Sequence, residues 1–178
     1  MNVVKSSCMD GVLYRYPEKY QLAEMLVLGF LGFLIPFTFG HPQLLVGVIV
    51  NAFLIRSALT LPSYKTIPVI LAPAVGAVAR GMVLGPFTLF LVYMLPFIWA
   101  GNYLLVYAFK LKLKHRLNYG LTLFTASALK AGFLYAAAVV LYSADIIPQA
   151  LLPAMGAMQF STAMLGGIAA YGFVVLKK

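Results

Sequence analysis

Six long apolar stretches follow one another along this chain, each closed by a short polar or turn-forming segment. They cover roughly residues 21–39, 43–61, 67–84, 87–109, 119–142 and 148–176. The apolar positions run continuously and do not alternate, so the pattern predicts helices and not the strands of a membrane barrel. A helix needs about 20 apolar residues to cross a bilayer, and each stretch has close to that length. The separators are Gly40-His41-Pro42, Pro62-Ser63-Tyr64-Lys65, Gly85-Pro86, a basic loop over residues 110–118, and Ser143-Ala144-Asp145. Glycine and proline end helices for backbone reasons that hold in any solvent. Arg56, Pro68 and Pro73 interrupt the second and third stretches. The expected architecture is all-α: a polytopic membrane protein with one six-transmembrane-helix bundle over residues 21–178. Residues 1–20 form a polar preface in which Tyr14, Tyr16 and Tyr20 interleave with Arg15, Glu18 and Lys19. That mixture is the anchor chemistry of a membrane surface.

Composition supports the same class. The 178 residues are 63% hydrophobic and 10% charged, against about 25% charged in a soluble domain. The net charge of +9 would suit nucleic acid, but the basic residues collect at span ends, so the expected partner is the lipid bilayer and no nucleic acid. Six spans put both termini on one side. Lys5, Arg15, Lys19, Arg56, Lys65, Lys110, Lys112, Lys114, Arg116, Lys177 and Lys178 then share that side, with Arg80 opposite and Lys130 inside the membrane. The positive-inside rule makes that side the cytoplasm, giving a multi-pass protein of the cell membrane with both termini cytoplasmic. The single cysteine, Cys8, allows no internal disulfide and no cysteine-based metal cluster. Residues 1–7 contain no apolar core, so neither a signal peptide nor a lipoprotein leader is expected there.

Candidate chemistry centres on Lys130. It lies about nine residues into its span, about 14 Å deep at a rise of about 1.5 Å per residue. A charge there costs at least about 3 kcal/mol on insertion scales, so it should face a partner, a cavity or a ligand. Asn51, Asn102 and Gln159 fall near the centres of three other spans. Together the four suggest a polar site inside the bundle. The alternative is that Lys130 and the amides hold helices together. In the fourth span Pro96, Gly101 and Asn102 allow a bend that exposes carbonyls, and Trp99 beside them either walls a pocket or packs. Arg80, toward the outer end of the third span, either caps the entrance to the site or is a solvated surface residue. Arg56 is expected to snorkel to the cytoplasmic surface.

Small residues recur at helix spacing: Ala77, Gly81 and Gly85 on the third span, and Thr162, Gly166 and Ala170, flanked by Ala163 and Gly167, on the sixth. Such rows let helices approach closely, either within the bundle or against another membrane subunit. Catalysis finds little support. The four acids are Asp10, Glu18, Glu24 and Asp145, and no two face each other at mid-membrane. His41 and His115 fall on opposite sides, about 30 Å apart, and cannot share one haem iron. No Walker-type loop is present. The chain is expected to be no enzyme and to carry no metal and no cofactor.

Several motifs resemble those of small bacterial and archaeal six-span membrane proteins often labelled "iron hydrogenase". They are the segment Leu95-Pro96-Phe97-Ile98-Trp99-Ala100-Gly101-Asn102, Ser127-Ala128-Leu129-Lys130 in the fifth span, Met158-Gln159-Phe160-Ser161-Thr162 with Gly166-Gly167 in the sixth, and Asn51 in the second. An iron hydrogenase needs several cysteine thiolates for its clusters, and this chain has one cysteine. In size and span count that family is similar to the substrate-binding (S) components of energy-coupling-factor (ECF) vitamin transporters. The resemblance implies a ligand pocket toward the outer half and docking on a transmembrane coupling subunit driven by ATPases. The usual Ala-x-x-x-Ala docking motif of the first span is replaced by Ala23, Gly29 and Gly32 at other spacings. The expectation is therefore an S-type transport protein for a small polar or anionic molecule. Lys130 supplies charge, Asn51, Asn102 and Gln159 orient the ligand, and Trp99 or Tyr103 stacks on it. The alternative is a non-catalytic membrane-anchor subunit of a larger complex.

Overall fold

The computed structural model describes residues 17–39, 42–84 and 89–175. The candidate interfacial segment before Pro17, with Cys8 and Asp10, lies outside the described residues. So do His41, the Gly85-Pro86 break, and Lys177 and Lys178. Among the described residues seven helices follow in order: α1 Glu18–Thr38, α2 Gln43–Thr60, α3 Ser63–Leu84, α4 Leu89–His115, α5 Tyr119–Ser143, α6 Leu151–Met155 and α7 Ala157–Val175. No strand occurs among the described residues. Five segments are long and apolar enough to cross a membrane: α1, α2, most of α4, α5, and the α6–α7 run from Leu151 to Gly172. These fit a multi-pass membrane protein. α3 has comparable length, 22 residues, but carries Pro68 and Pro73 within it.

Neighbouring helices close a ring in the order α1, α3, α4, α5, α7, α2 and back to α1. α2 also touches α3 and α4, so it leans into the ring, and its Leu54, Ile55 and Ala58 are fully buried. The outside of the bundle is apolar: Leu26 and Phe30 on α1, Leu121 and Val140 on α5, and Ile168 on α7 are all at least 60% exposed. The buried polar residues include Asn51, Asn102, Ser127, Lys130 and Thr162. An apolar exterior around a polar interior suits a hydrocarbon solvent, where every polar group must find its partner inside the protein.

Helix ends depart from the sequence-based boundaries at identifiable places. The basic stretch from Lys110 is helical as far as His115, because Lys112, Lys114 and His115 occupy the last turn of α4, where cations complement the helix dipole. The helix then stops at Arg116, which has a left-handed φ of 54°. The Leu117 N–H closes the turn on the Lys112 carbonyl at 3.1 Å, the six-to-one bond of a Schellman cap. Asp145 (φ 55°) ends α5 in the same way, with Ile146 N–H on the Leu141 carbonyl at 2.9 Å. α3 begins at Ser63 and not near Ile67, so Lys65 belongs to its first turn. Lys65 is buried, donating to Gln21 Oε1 at 3.2 Å with the Glu18 carboxylate 3.6 Å away. Arg56 does not simply snorkel: its Nε donates to Glu24 Oε1 at 2.6 Å, joining α2 to α1. Lys110 donates to the Leu61 carbonyl at the C-terminal end of α2.

The last span is two helices. α6 stops at Gly156, whose backbone (φ −98°, ψ −99°) is far from helical, and α7 restarts at once. The small-residue row of α7 faces inward. A Cβ on Gly166 would lie 2.7 Å from the Val48 carbonyl oxygen and 2.9 Å from the Ala52 nitrogen, both backbone atoms of α2. Ala163 and Ala170 are buried. These residues serve packing within the bundle and are not free to dock another subunit. Gly76 performs the same task between α3 and α1, where a Cβ would meet the Phe33 carbonyl oxygen. A Cβ on Gly132, by contrast, would meet nothing within 4 Å. Gly166→Ala should therefore cost about 1–3 kcal/mol through overpacking, whereas Gly132→Ala should be neutral or gain up to about 1 kcal/mol of helix propensity. Thermal unfolding of the two variants in one detergent separates them; equal losses would contradict the close α2–α7 contact.

Candidate functional site

Each ring helix has two zones along its length. At the end of the bundle where α1 begins, Leu28, Leu54, Ile55, Val69, Leu105, Phe109 and Leu123 form one close-packed apolar cluster with Ala170. Further along the same helices the packing opens into a cavity of about 160 Å³. Pro36 (α1), Asn51 (α2), Ala77 (α3), Asn102 (α4), Lys130 (α5) and Thr162 (α7) all line it. On every helix the cavity-lining residue lies on the far side of the cluster from the start of α1. The cluster therefore seals the cavity at that end. The opposite end, near the α1–α2 connection and Gln43, is where the lining reaches an exposed residue.

Four of the sequence-derived candidates meet in this cavity: Asn51, Asn102, Lys130 and Gln159. Lys130 is 2% exposed and its Nζ donates to Asn51 Oδ1 at 2.6 Å. Asn51 is itself fixed, because its Nδ2 donates to the Gly47 carbonyl at 2.8 Å and to Thr162 Oγ1 at 3.2 Å. Thr162 Oγ1 in turn donates to the Gln159 carbonyl at 3.2 Å. This chain ties α5, α2 and α7 together across the interior. Sequence reasoning placed Thr162 in a packing row and missed its hydroxyl. Its spacing of three residues from Gln159 was the available signal, since both then share a helix face.

Asn102 is held on another side. Its Nδ2 donates to the Ile70 carbonyl at 3.2 Å. Ile70 lies three residues before Pro73 in α3. The neighbouring Leu71 carbonyl accepts from Trp99 Nε1 at 3.1 Å. Trp99 therefore does not reach the cavity as a stacking wall. Ile98 and Asn102, four apart, line the cavity, and residue 99 is turned about 100° away from Ile98 on the helix. Tyr103 is also excluded from that role: it is 54% exposed on the outer face and stacks on Tyr107. Arg80 is not among the lining residues. Its Nη1 donates to the Thr38 carbonyl at 2.7 Å and to that of Phe37 at 3.4 Å, so it caps the C-terminal end of α1, where a cation is favoured.

The cavity's polar capacity is only partly used. An ammonium has three donors, and Asn51 Oδ1 is the one acceptor of Lys130 among the described residues. Asn102 Oδ1 and the Gln159 amide have no hydrogen-bond partner among the described residues. No group of three or more His, Cys, Asp or Glu residues that could hold a metal ion occurs among them either. The arrangement can receive an acceptor-rich group at Lys130 and a donor at Asn102. No protein-family model matches the chain, and no curated protein or solved structure matches it.

Lys130 and Asn51 should behave as a unit. Asn51→Leu strands the ammonium without its acceptor, and leaving a buried polar group unsatisfied costs about 1–3 kcal/mol, and more for a charged one. Lys130→Met in the same background should recover a large part of that loss, because two apolar replacements leave nothing unsatisfied between them. A double-mutant cycle from detergent unfolding midpoints reads the coupling; strictly additive losses would show that the two side chains are independent.

Proposed function

We propose that the chain is a multi-pass cell-membrane transport protein that captures a small polar or anionic molecule in the Lys130 cavity. In this reading it acts as the substrate-binding (S) component of an ECF-type uptake transporter. α3 serves as the sixth span and both termini are cytoplasmic. The observation that carries the reading is the convergence of Asn51, Asn102, Lys130 and Gln159, from four helices, on one cavity. The cavity is sealed by apolar packing at the end where Lys65, Lys110, Lys112, Lys114 and Arg116 gather, which is the cytoplasmic end by the positive-inside rule. It therefore opens toward the outside, as capture of an external molecule requires. Energy for release would come from a transmembrane coupling subunit with its ATPases. With the α7 row buried, that subunit would meet the apolar exterior of the bundle.

One observation favours a second reading, a non-catalytic membrane-anchor subunit. Lys130 already has a side-chain partner in Asn51, so the pair also makes sense as an interhelical lock. The two readings differ in whether anything is bound. Native mass spectrometry of the protein released from mild detergent should show a retained small molecule on the wild type and none on Lys130→Met. No bound molecule on either, with the variant less stable, would favour the anchor. Orientation is tested separately: in intact cells, a membrane-impermeant maleimide should label Asp145→Cys and spare Lys112→Cys, both made in a Cys8→Ser background. The reverse pattern would invert the topology and close the cavity to the outside.

A further inference from the structure

The cavity's size, charge and unused hydrogen-bonding groups narrow the class of molecule it takes; the inference rests on reading the cavity as a binding site. Lys130 is the one charged side chain among the lining residues, and no Asp or Glu accompanies it. A cationic ligand would add a second positive charge to a site without a counter-charge. A dianion such as sulfate would leave one negative charge uncompensated in a low-dielectric interior. A single negative charge matches. An engineered apolar cavity of about 150 Å³ holds benzene, and this one measures about 160 Å³, so the ligand has about six to eight non-hydrogen atoms.

Hydrogen bonding adds a second requirement. Asn51 has its Nδ2 committed to Gly47 and Thr162 and its Oδ1 to Lys130, so it holds the ammonium and does not read the ligand. Lys130 keeps two donors for a carboxylate. Asn102 has spent one of its two amide donors on Ile70, and its Oδ1 has no hydrogen-bond partner among the described residues. An acceptor at the cavity wall gains free energy when a donor reaches it away from bulk water, so a ligand that carries a donor is favoured over one that does not. An ammonium could supply that donor only by bringing the second positive charge. A hydroxyl brings none. Val50, Leu91, Ile98 and Met155 supply apolar wall for a short carbon skeleton. We infer that the cavity selects a small hydroxy-monocarboxylate, with the carboxylate on Lys130 and the hydroxyl on Asn102 Oδ1.

Binding to the full chain in nanodiscs would be measured for lactate and 3-hydroxybutyrate, beside butyrate and 3-hydroxybutyramide. At least one hydroxy acid should bind, and 3-hydroxybutyramide should bind about 10- to 100-fold more weakly than its acid, the worth of a hydrogen bond to a charged group. Asn102→Leu should bring 3-hydroxybutyrate and butyrate to equal affinity, and Lys130→Met should abolish preference for acid over amide. The acid–amide comparison needs only the wild type, so it survives failure of either variant to fold. If neither hydroxy acid binds, or acid and amide bind alike, the inference is overturned. A retained molecule of other chemistry, lost in Lys130→Met, would overturn it while leaving the binding reading intact. No retained molecule and no probe binding would remove both.

Discussion

The hydrogen bond from Lys130 Nζ to Asn51 Oδ1, 2.6 Å long and buried, is the interaction on which the interior of this protein depends. A lysine in the middle of an apolar helix must be compensated, and a single neutral acceptor compensates poorly unless that acceptor is rigid and correctly turned. The bundle supplies the rigidity through a second layer. Asn51 is oriented by its own helix, at Gly47, and by α7, at Thr162. That second contact needs α7 to lie against α2, and Gly166 is what lets it: its Cβ-free backbone sits against Val48, Asn51 and Ala52. A row of small residues on α7 thus determines the environment of a charge on α5. Packing and electrostatics here are one constraint.

The same helices divide the molecule into a sealed half and an open half. Leu54, Ile55 and Ala58 of α2 are fully buried in the apolar cluster, while Val46, Gly47, Val50 and Asn51 of the same helix border the cavity. On α4, Leu105 and Phe109 are sealed while Ile98 and Asn102 are open. The polar contacts at the sealed end reinforce it: Arg56 with Glu24, Lys65 with Gln21, and Lys110 with the end of α2. The open half has fewer such ties among its described residues. Its helices carry Pro36 and Pro73 at the cavity wall and the break at Gly156 at its rim. Proline and a helix break loosen backbone where a volume has to be kept free of side chains.

Much of this was legible in the sequence, and the limits have physical reasons. The helical class followed from continuous apolar runs, which composition and length determine with little help from tertiary contacts. Lys130, Asn51, Asn102 and Gln159 stood out because each is costly in an apolar span, and cost is a local property. Their meeting in one cavity was not local. Trp99 shows the difference: it adjoins Ile98 in sequence, yet one step of helix rotation turns it from the cavity to the Leu71 carbonyl. Neither the entrance-or-surface alternative for Arg80 nor the snorkelling expected of Arg56 anticipates their acceptors, the end of α1 and Glu24, which lie more than 30 residues away. The helix ends at His115 and Ser63 are hidden in the sequence because local charge resembles loop, although cations in a final turn and a lysine beside Gln21 are both compatible with helix. The break at Gly156 had no sequence signal stronger than a glycine, and Tyr135 packs so close that a Cβ there would sit 3.0 Å from its ring.

An ammonium with one fixed acceptor and two unused donors is neither fully satisfied nor free. If Lys130 served only to lock helices, further protein acceptors would be expected around it, because polar groups in hydrocarbon are satisfied within the protein. If it served only a ligand, the empty protein would carry an unpaired charge in its core. The observed state lies between the two. Asn51 gives the ammonium one fixed acceptor, and Lys130 lies at the cavity wall. Ser127, one turn away on the same helix, has a buried Oγ without a hydrogen-bond partner among the described residues, but it does not line the cavity. Surplus polar capacity inside a membrane bundle costs stability and contributes nothing to packing. Placed beside a cavity, the unused donors of Lys130 are what the proposed ligand would engage.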